Sequence, residues 1–133
     1  MNAATLRLVL LVSAAHALVH TYELSLPSLE LQIASEYVGD QSTANADVLQ
    51  AGRQKMGMLA NTWRLPFGFG ALLAGLLVDR FGSRLMLVLY LLGCSLTCFV
   101  AGTTLPLGSL FVVMFCMGAF ASIYHPAGLT LIS

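Results

Sequence analysis

The stretch whose reading decides the fold is Gly75-Leu76-Leu77-Val78-Asp79-Arg80-Phe81-Gly82-Ser83-Arg84, a decapeptide that joins two long apolar runs. Its charges fall where both runs leave the apolar phase, so the two runs emerge on one side and the segment is the hairpin between them. Asp79 stands at the C-terminal end of the first run, where a helix dipole is negative, and Arg84 at the start of the second, where it is positive. Each sign opposes the dipole of its own helix. Charges placed this way are stabilised from outside their helix, or by one another across the turn. A solvated loop with ordinary positive-inside arginines is the plain alternative.

The runs on either side of the hairpin are typical of the whole chain. Hydrophobic residues make up 58% and charged residues 9%, with a mean hydropathy of +0.85, whereas soluble domains carry about a quarter charged residues. The fold class is therefore an all-α membrane protein. Its 133 residues hold at most about four or five spans of roughly 20 residues. Four are predicted, at about 6–33, 56–78, 85–101 and 107–125, and residues 1–133 form one partial N-terminal transmembrane domain. A net charge of zero leaves no basic patch for nucleic acid. Cys94, Cys98 and Cys116 all lie inside apolar runs and read as small core residues, not as a disulfide framework. Arg7 ahead of an apolar run and Ala15-His16-Ala17 mimic a signal peptide, but the apolar pattern continues past Ala17 and further spans follow.

The first span carries its polar residues in register. Ser13, His16, His20, Glu23, Pro27 and Glu30 recur at offsets of three and four, so they share one stripe. An ionisable stripe cannot face lipid and must turn to other helices or a wet cavity. Residues 34–55 read as a polar connection with Gly39 and Gly52 as breakers. The second span shows a stripe of Asn61, Arg64, Gly68, Ala71 and Gly75, whose small residues invite close helix approach. Counted from the span ends at about 1.5 Å per residue, Arg64 lies roughly 18 Å from the inner edge and His20 and Glu23 lie at about 21 and 25 Å. Glu23 and Arg64 are therefore expected to interact or to flank one cavity, the alternative being an Arg64 that snorkels to the outer interface.

The third span reads as a packing helix with Ser95, Thr97 and two cysteines as polar relief, followed by a tight turn at 102–106. The fourth has a small-residue face of Gly118, Ala121 and Ser122. Tyr124-His125-Pro126-Ala127-Gly128 then closes or kinks it, because Pro126 lacks a backbone donor and Gly128 can take a left-handed cap.

The spacing G-x-x-x-D-R-x-G-x-R resembles the loop between the second and third spans of the major facilitator superfamily, with Gly75, Leu77, Asp79, Arg80, Gly82 and Arg84 matching and Ser83 departing from a residue that is often basic. The run from Gly118 to Ser133, with Y-H-P-A-G at 124–128, resembles the fourth span of the same superfamily. It and the H-x-x-x-H-x-x-E of span one look most like the branch of fosmidomycin-resistance-type efflux proteins, although an acidic residue is common at the position of His20. Met114 stands where many drug antiporters carry an arginine, which shifts attention to Arg64, His20 and Glu23. The resemblance implies a cytoplasmic loop and a cytoplasmic N-terminus, agreeing with Arg7, Arg80 and Arg84 on that side against Arg53 and Lys55 on the other. It also implies that Gly75, Asp79, Arg80, Gly82 and Arg84 serve gating. Superfamily members have about twelve spans in two halves with the substrate path between. Four spans cannot supply that path, so the chain is expected to be part of a longer transporter, with the remaining spans and the lipid bilayer as its partners.

The expected function is transport of small molecules, by uptake or efflux, through an ion-gradient-driven secondary transporter in a bacterial cytoplasmic membrane, drug or metabolite efflux being what the resemblance to the fosmidomycin-resistance-type branch implies. Proton coupling is expected through His16, His20 and Glu23, since histidine and a desolvated glutamate titrate in the physiological range. Arg64, Tyr124 and His125 complete the candidate cavity. Histidines that only satisfy hydrogen bonds within the bundle are the structural alternative. Other classes are a non-transporting membrane scaffold, or a bundle holding haem or a metal through His16, His20 and His125, against which no carboxylate or cysteine completes a tetrahedral site. No cofactor is expected. No nucleophile-base pair, phosphate loop or metal signature suggests an enzyme.

Overall fold

The computed structural model describes residues 2–38, 46–103 and 106–132. They form α1 (Ala3–Val38), α2 (Ala46–Phe81), α3 (Ser83–Ala101), α4 (Leu107–Ala121) and α5 (Tyr124–Ile132). By length and composition Ala3–Ser25, Ser83–Ala101 and Leu107–Leu131 can each cross a membrane. α2 falls outside that set because its uncharged apolar run is confined between Arg64 and Asp79. The protein is an integral membrane, all-α bundle. Its outward faces say the same: Leu72 is 77% and Phe99 76% exposed, with Leu10, Leu11, Leu76, Leu92 and Leu96 also bare, an arrangement that water would not tolerate but lipid does.

Contacts between the helices fix their directions. Tyr90 of α3 meets Ala15 of α1, and Tyr22 meets Ser95, so α1 and α3 run parallel. Cys94 reaches Met117 and the Tyr90 ring lies tilted beside that of Tyr124, so α3 and α4–α5 run antiparallel. Trp63 of α2 lies against Gly118 and Gly70 against Ser122, so α2 and α4 run parallel. The chain therefore passes up, down, up and down. Arg7, Arg84 and Leu131 line one groove, which puts the start of α1, the α2–α3 hairpin and the end of α5 at the same end.

α4 lies between α2 and α3, and small residues set the separation from α2. A Cβ at Gly118 would overlap the Trp63 carbonyl oxygen and sit 2.9 Å from Pro66 Cγ. One at Gly70 would sit 2.5 Å from Ser122 Oγ. The face predicted for α4 from Gly118, Ala121 and Ser122 is thus the packed face, with all three buried. In α2 the packed face is a different one from that expected. Leu59, Trp63, Ala74 and Val78 are buried, whereas Asn61, Arg64 and Gly68 are exposed and a Cβ at Gly68 or Gly75 would meet nothing within 4 Å. In this bundle the apolar face supplies the van der Waals packing, and the polar stripe is left open.

Three further expectations are corrected. The connection predicted over 34–55 is largely helix: α1 continues to Val38 and α2 begins at Ala46, and Gly52 is a buried helical residue instead of a breaker. Charged residues such as Arg53 and Lys55 lie on helical turns that continue α2 beyond its apolar part. Gly39 and Asp40 lie outside the described residues. Of the two readings of 124–128, closing or kinking the fourth span, the structure takes the kink: the span breaks at Ser122–Ile123 and resumes as α5, past the expected bound near 125. The cause is Pro126, which cannot donate to the Ser122 carbonyl four residues back and whose ring crowds it. Gly128 accordingly takes no left-handed cap; Gly82 is the positive-φ glycine among the described residues.

Gly82 is the whole of the link between α2 and α3. Its φ of 84° and ψ of 146° lie in a region almost restricted to glycine, its N–H donates to Val78 O at 2.8 Å, and its carbonyl accepts from Met86 N at 3.3 Å. A Cβ there would meet nothing within 4 Å, so the obstacle to substitution is backbone strain alone. Gly82→Ala is expected to lower stability by about 1–3 kcal/mol, read as a lower unfolding midpoint in micelles.

Candidate functional site

α1 positions the polar stripe. Val12, Ala15 and Val19 are buried against the bundle, which turns His16 and His20, one helical turn apart, along the edge of the interface with α5. His20 Nδ1 lies 3.1 Å from Glu23 Oε2, and His20 Nε2 lies 3.0 Å from His16 Nε2. His16 Nδ1 lies 3.1 Å from the Tyr124 hydroxyl, which donates to the Val12 carbonyl at 3.2 Å. Glu23, His20, His16, Tyr124 and Val12 thus form one continuous hydrogen-bonded chain from the open side of α1 to the buried α1–α5 seam.

Rings surround this chain. His125 stands 6.5 Å from His16 and 5.5 Å from Tyr124 between centroids, edge-on to both. Phe67 of α2 meets His125 at 5.5 Å and stacks on Trp63 at 4.7 Å. Tyr90 of α3 lies 5.4 Å from Tyr124 and donates its hydroxyl to the Ala15 carbonyl at 2.9 Å. Tyr90 and Phe67 were not singled out by the sequence. The signal that could have found Tyr90 is its position four before Cys94 and seven before Thr97, on the polar line of α3. Trp63 is 4% exposed, and its Nε1 is the buried side-chain polar atom without a hydrogen bond among the described residues.

The structure therefore gathers His16, His20, Glu23, Tyr124 and His125 in one place. It does not pair Glu23 with Arg64: the ion pair among the described residues is His20–Glu23, and Arg64 is exposed on α2. The side chains of Pro27 and Glu30 lie outside the described residues. Asp79 and Arg84 are exposed at the hairpin and form no ion pair among the described residues. The Arg80 guanidinium lies over the Phe81 ring at 5.6 Å. Among the described residues no group of three or more His, Cys, Asp or Glu is placed to hold a metal.

An apolar exterior, with a hydrogen-bonded line of ionisable side chains running from the open side of α1 to the α1–α5 seam, defines a membrane-embedded helical bundle with a polar path along one edge. A family model described as the Major Facilitator Superfamily matches residues 10–133. The chain belongs to that superfamily, whose members carry out transmembrane transport as secondary transporters and are in general not enzymes. No curated protein and no solved structure matches it.

Proposed function

We propose that the protein is a proton-coupled transporter of small molecules, that His16, His20, Glu23 and Tyr124 handle the coupled proton, and that His125 and Arg64 border the substrate cavity. The observation that carries this reading is the unbroken chain from Glu23 Oε2 to the Tyr124 hydroxyl, each link 3.0–3.1 Å long. Imidazole and carboxyl groups both take up and release protons, and in this chain each is joined to the next through the atom that would carry the proton. A membrane helix retains ionisable side chains at such a cost only where they face a bundle interior or water. Efflux of a drug or metabolite fits the Y-H-P-A-G of α5.

The exposed Asp79, Arg80 and Arg84 around Gly82 fit a gating contact, because a charge set against its helix dipole calls for a partner outside the helix. Arg7 and Arg84 share one end of the bundle, and with Arg80 they favour a cytoplasmic N-terminus in a bacterial inner membrane.

The test is transport in sealed vesicles under an imposed pH gradient, with and without a protonophore. Collapse of the gradient is expected to reduce net transport to the passive leak. Net transport that continues at the same rate would remove the proton from the mechanism.

A further inference from the structure

The distances along the seam impose a rule of proton counting. The Tyr124 hydroxyl has one proton and two acceptors within reach, the Val12 carbonyl oxygen at 3.2 Å and His16 Nδ1 at 3.1 Å, and it can donate to one of them at a time. Each choice fixes every proton downstream, because a neutral imidazole offers one donor and one acceptor.

If Tyr124 donates to His16 Nδ1, then His16 carries its proton on Nε2 and donates it to His20 Nε2. His20 in turn carries its proton on Nδ1 and donates to an ionised Glu23. All contacts along α1 are satisfied, but two oxygens with no proton between them now face each other at Tyr124 and Val12. If instead Tyr124 donates to the Val12 carbonyl, it accepts from His16 Nδ1–H. His16 Nε2 is then an acceptor and takes a proton from His20 Nε2–H. The 3.1 Å contact between His20 Nδ1 and Glu23 Oε2 then needs a proton of its own, held either as imidazolium with carboxylate or as imidazole with carboxylic acid. The first arrangement holds three protons on these four side chains and the second four, so the two differ by one proton taken from water.

We infer that the Glu23–His20–His16–Tyr124 chain is a one-proton switch: His16 passes its Nε2 proton to His20 Nε2, which leaves imidazolium against the Glu23 carboxylate, His16 takes up one proton from water at Nδ1, and the Tyr124 hydroxyl keeps its proton but turns it from His16 Nδ1 to the Val12 carbonyl. The inference rests on reading these residues as the proton-handling site and adds what the proton does there. It draws α5 onto α1 at a second point. Tyr124 is the first residue after the Ser122–Ile123 break, so the contact made or lost lies where the fourth span already lacks the bond that Pro126 cannot donate. A charge event at the open side of α1 is thereby read out at the break in another span.

The other groups packed round the chain are few. α3 contributes Tyr90, already committed to the Ala15 carbonyl, with buried Cys94 one turn on. α5 contributes His125, edge-on to His16. α2 contributes the Phe67 ring. Tyr22 of α1 is bonded to Ser95. Among the described residues none of these is hydrogen-bonded to the four members, so the relay has no competing branch there.

The experiment is nitrogen NMR of the histidine rings together with the carbon shift of the Val12 carbonyl, on the full chain in bilayers across pH. As the pH falls, His16 is expected to pass from the Nε2–H to the Nδ1–H tautomer in the same step in which the His20–Glu23 pair gains its proton, and the Val12 carbonyl shift should move with it. In Tyr124→Phe the Val12 response should vanish while the His20–Glu23 step remains. A His16 that keeps one tautomer through that step, or a Val12 carbonyl blind to it in the unaltered protein, would overturn the switch whatever the variant does. The transport assay above judges the other reading separately: a tautomer that inverts in a protein whose transport ignores the pH gradient would leave the switch standing and remove its use in coupling.

Discussion

Gly118→Ala is expected to destabilise the bundle by about 3 kcal/mol, at the upper end of the penalty for overpacking. The added methyl would overlap the Trp63 carbonyl oxygen and crowd Pro66 Cγ at 2.9 Å. Backbone and a proline ring cannot rotate aside as a long side chain can, so α2 and α4 must separate. Separation uncouples the second contact of the same crossing, Gly70 against Ser122, and loosens the apolar contacts of Leu59, Met114 and Met117 that it holds in place. The control lies on α2 itself. Gly68→Ala adds the same methyl where nothing stands within 4 Å, and a helical alanine is favoured over glycine by roughly 0.5–1 kcal/mol. Unfolding in micelles should therefore show the two alanines moving the midpoint in opposite directions. Equal shifts would mean that the α2–α4 distance is not set by Gly118.

The contrast between those glycines also shows where sequence reading ends. A helical period of polar and small residues on α2 pointed to Asn61, Arg64, Gly68, Ala71 and Gly75 as the contact face, yet α2 packs through Leu59, Trp63, Gly70, Ala74 and Val78. In a membrane helix lipid is as apolar as a core, so hydropathy cannot separate the packed face from the lipid face. What remains visible is the polar stripe, and on α2 that stripe is open in this bundle. On α1 the same logic succeeded in part. The spacing of His16, His20 and Glu23 is local, so their mutual contacts could be read from offsets of three and four. The docking of Tyr124 on Val12 spans 112 positions of sequence and depends on how the broken fourth span leans on the first, which no local pattern encodes. Pro126 announced that break; the helical course of 46–55 was concealed because polar residues outside a membrane look alike in a helix and in a loop.

Glu23→Gln is expected to abolish transport driven by a pH gradient while leaving exchange of substrate at equal pH on the two sides. Glutamine has nearly the size of glutamate and keeps a carbonyl oxygen and an amide that can each face His20 Nδ1, so the contact at 3.1 Å survives in either imidazole tautomer. It has no carboxylate to take a proton or to balance an imidazolium at His20. The substitution thus removes the proton from the site with little change to its packing: Glu23 sits at the open end of the chain with a third of its side chain accessible, where lost burial contributes little. Exchange needs the cavity to open on alternate sides with substrate bound, and it needs no net proton movement. Loss of both activities would therefore indicate damage to folding or to substrate binding, and retention of gradient-driven transport would take Glu23 out of the coupling step. The combination of lost drive and retained exchange is the outcome expected of a residue whose carboxylate carries the proton through the cycle.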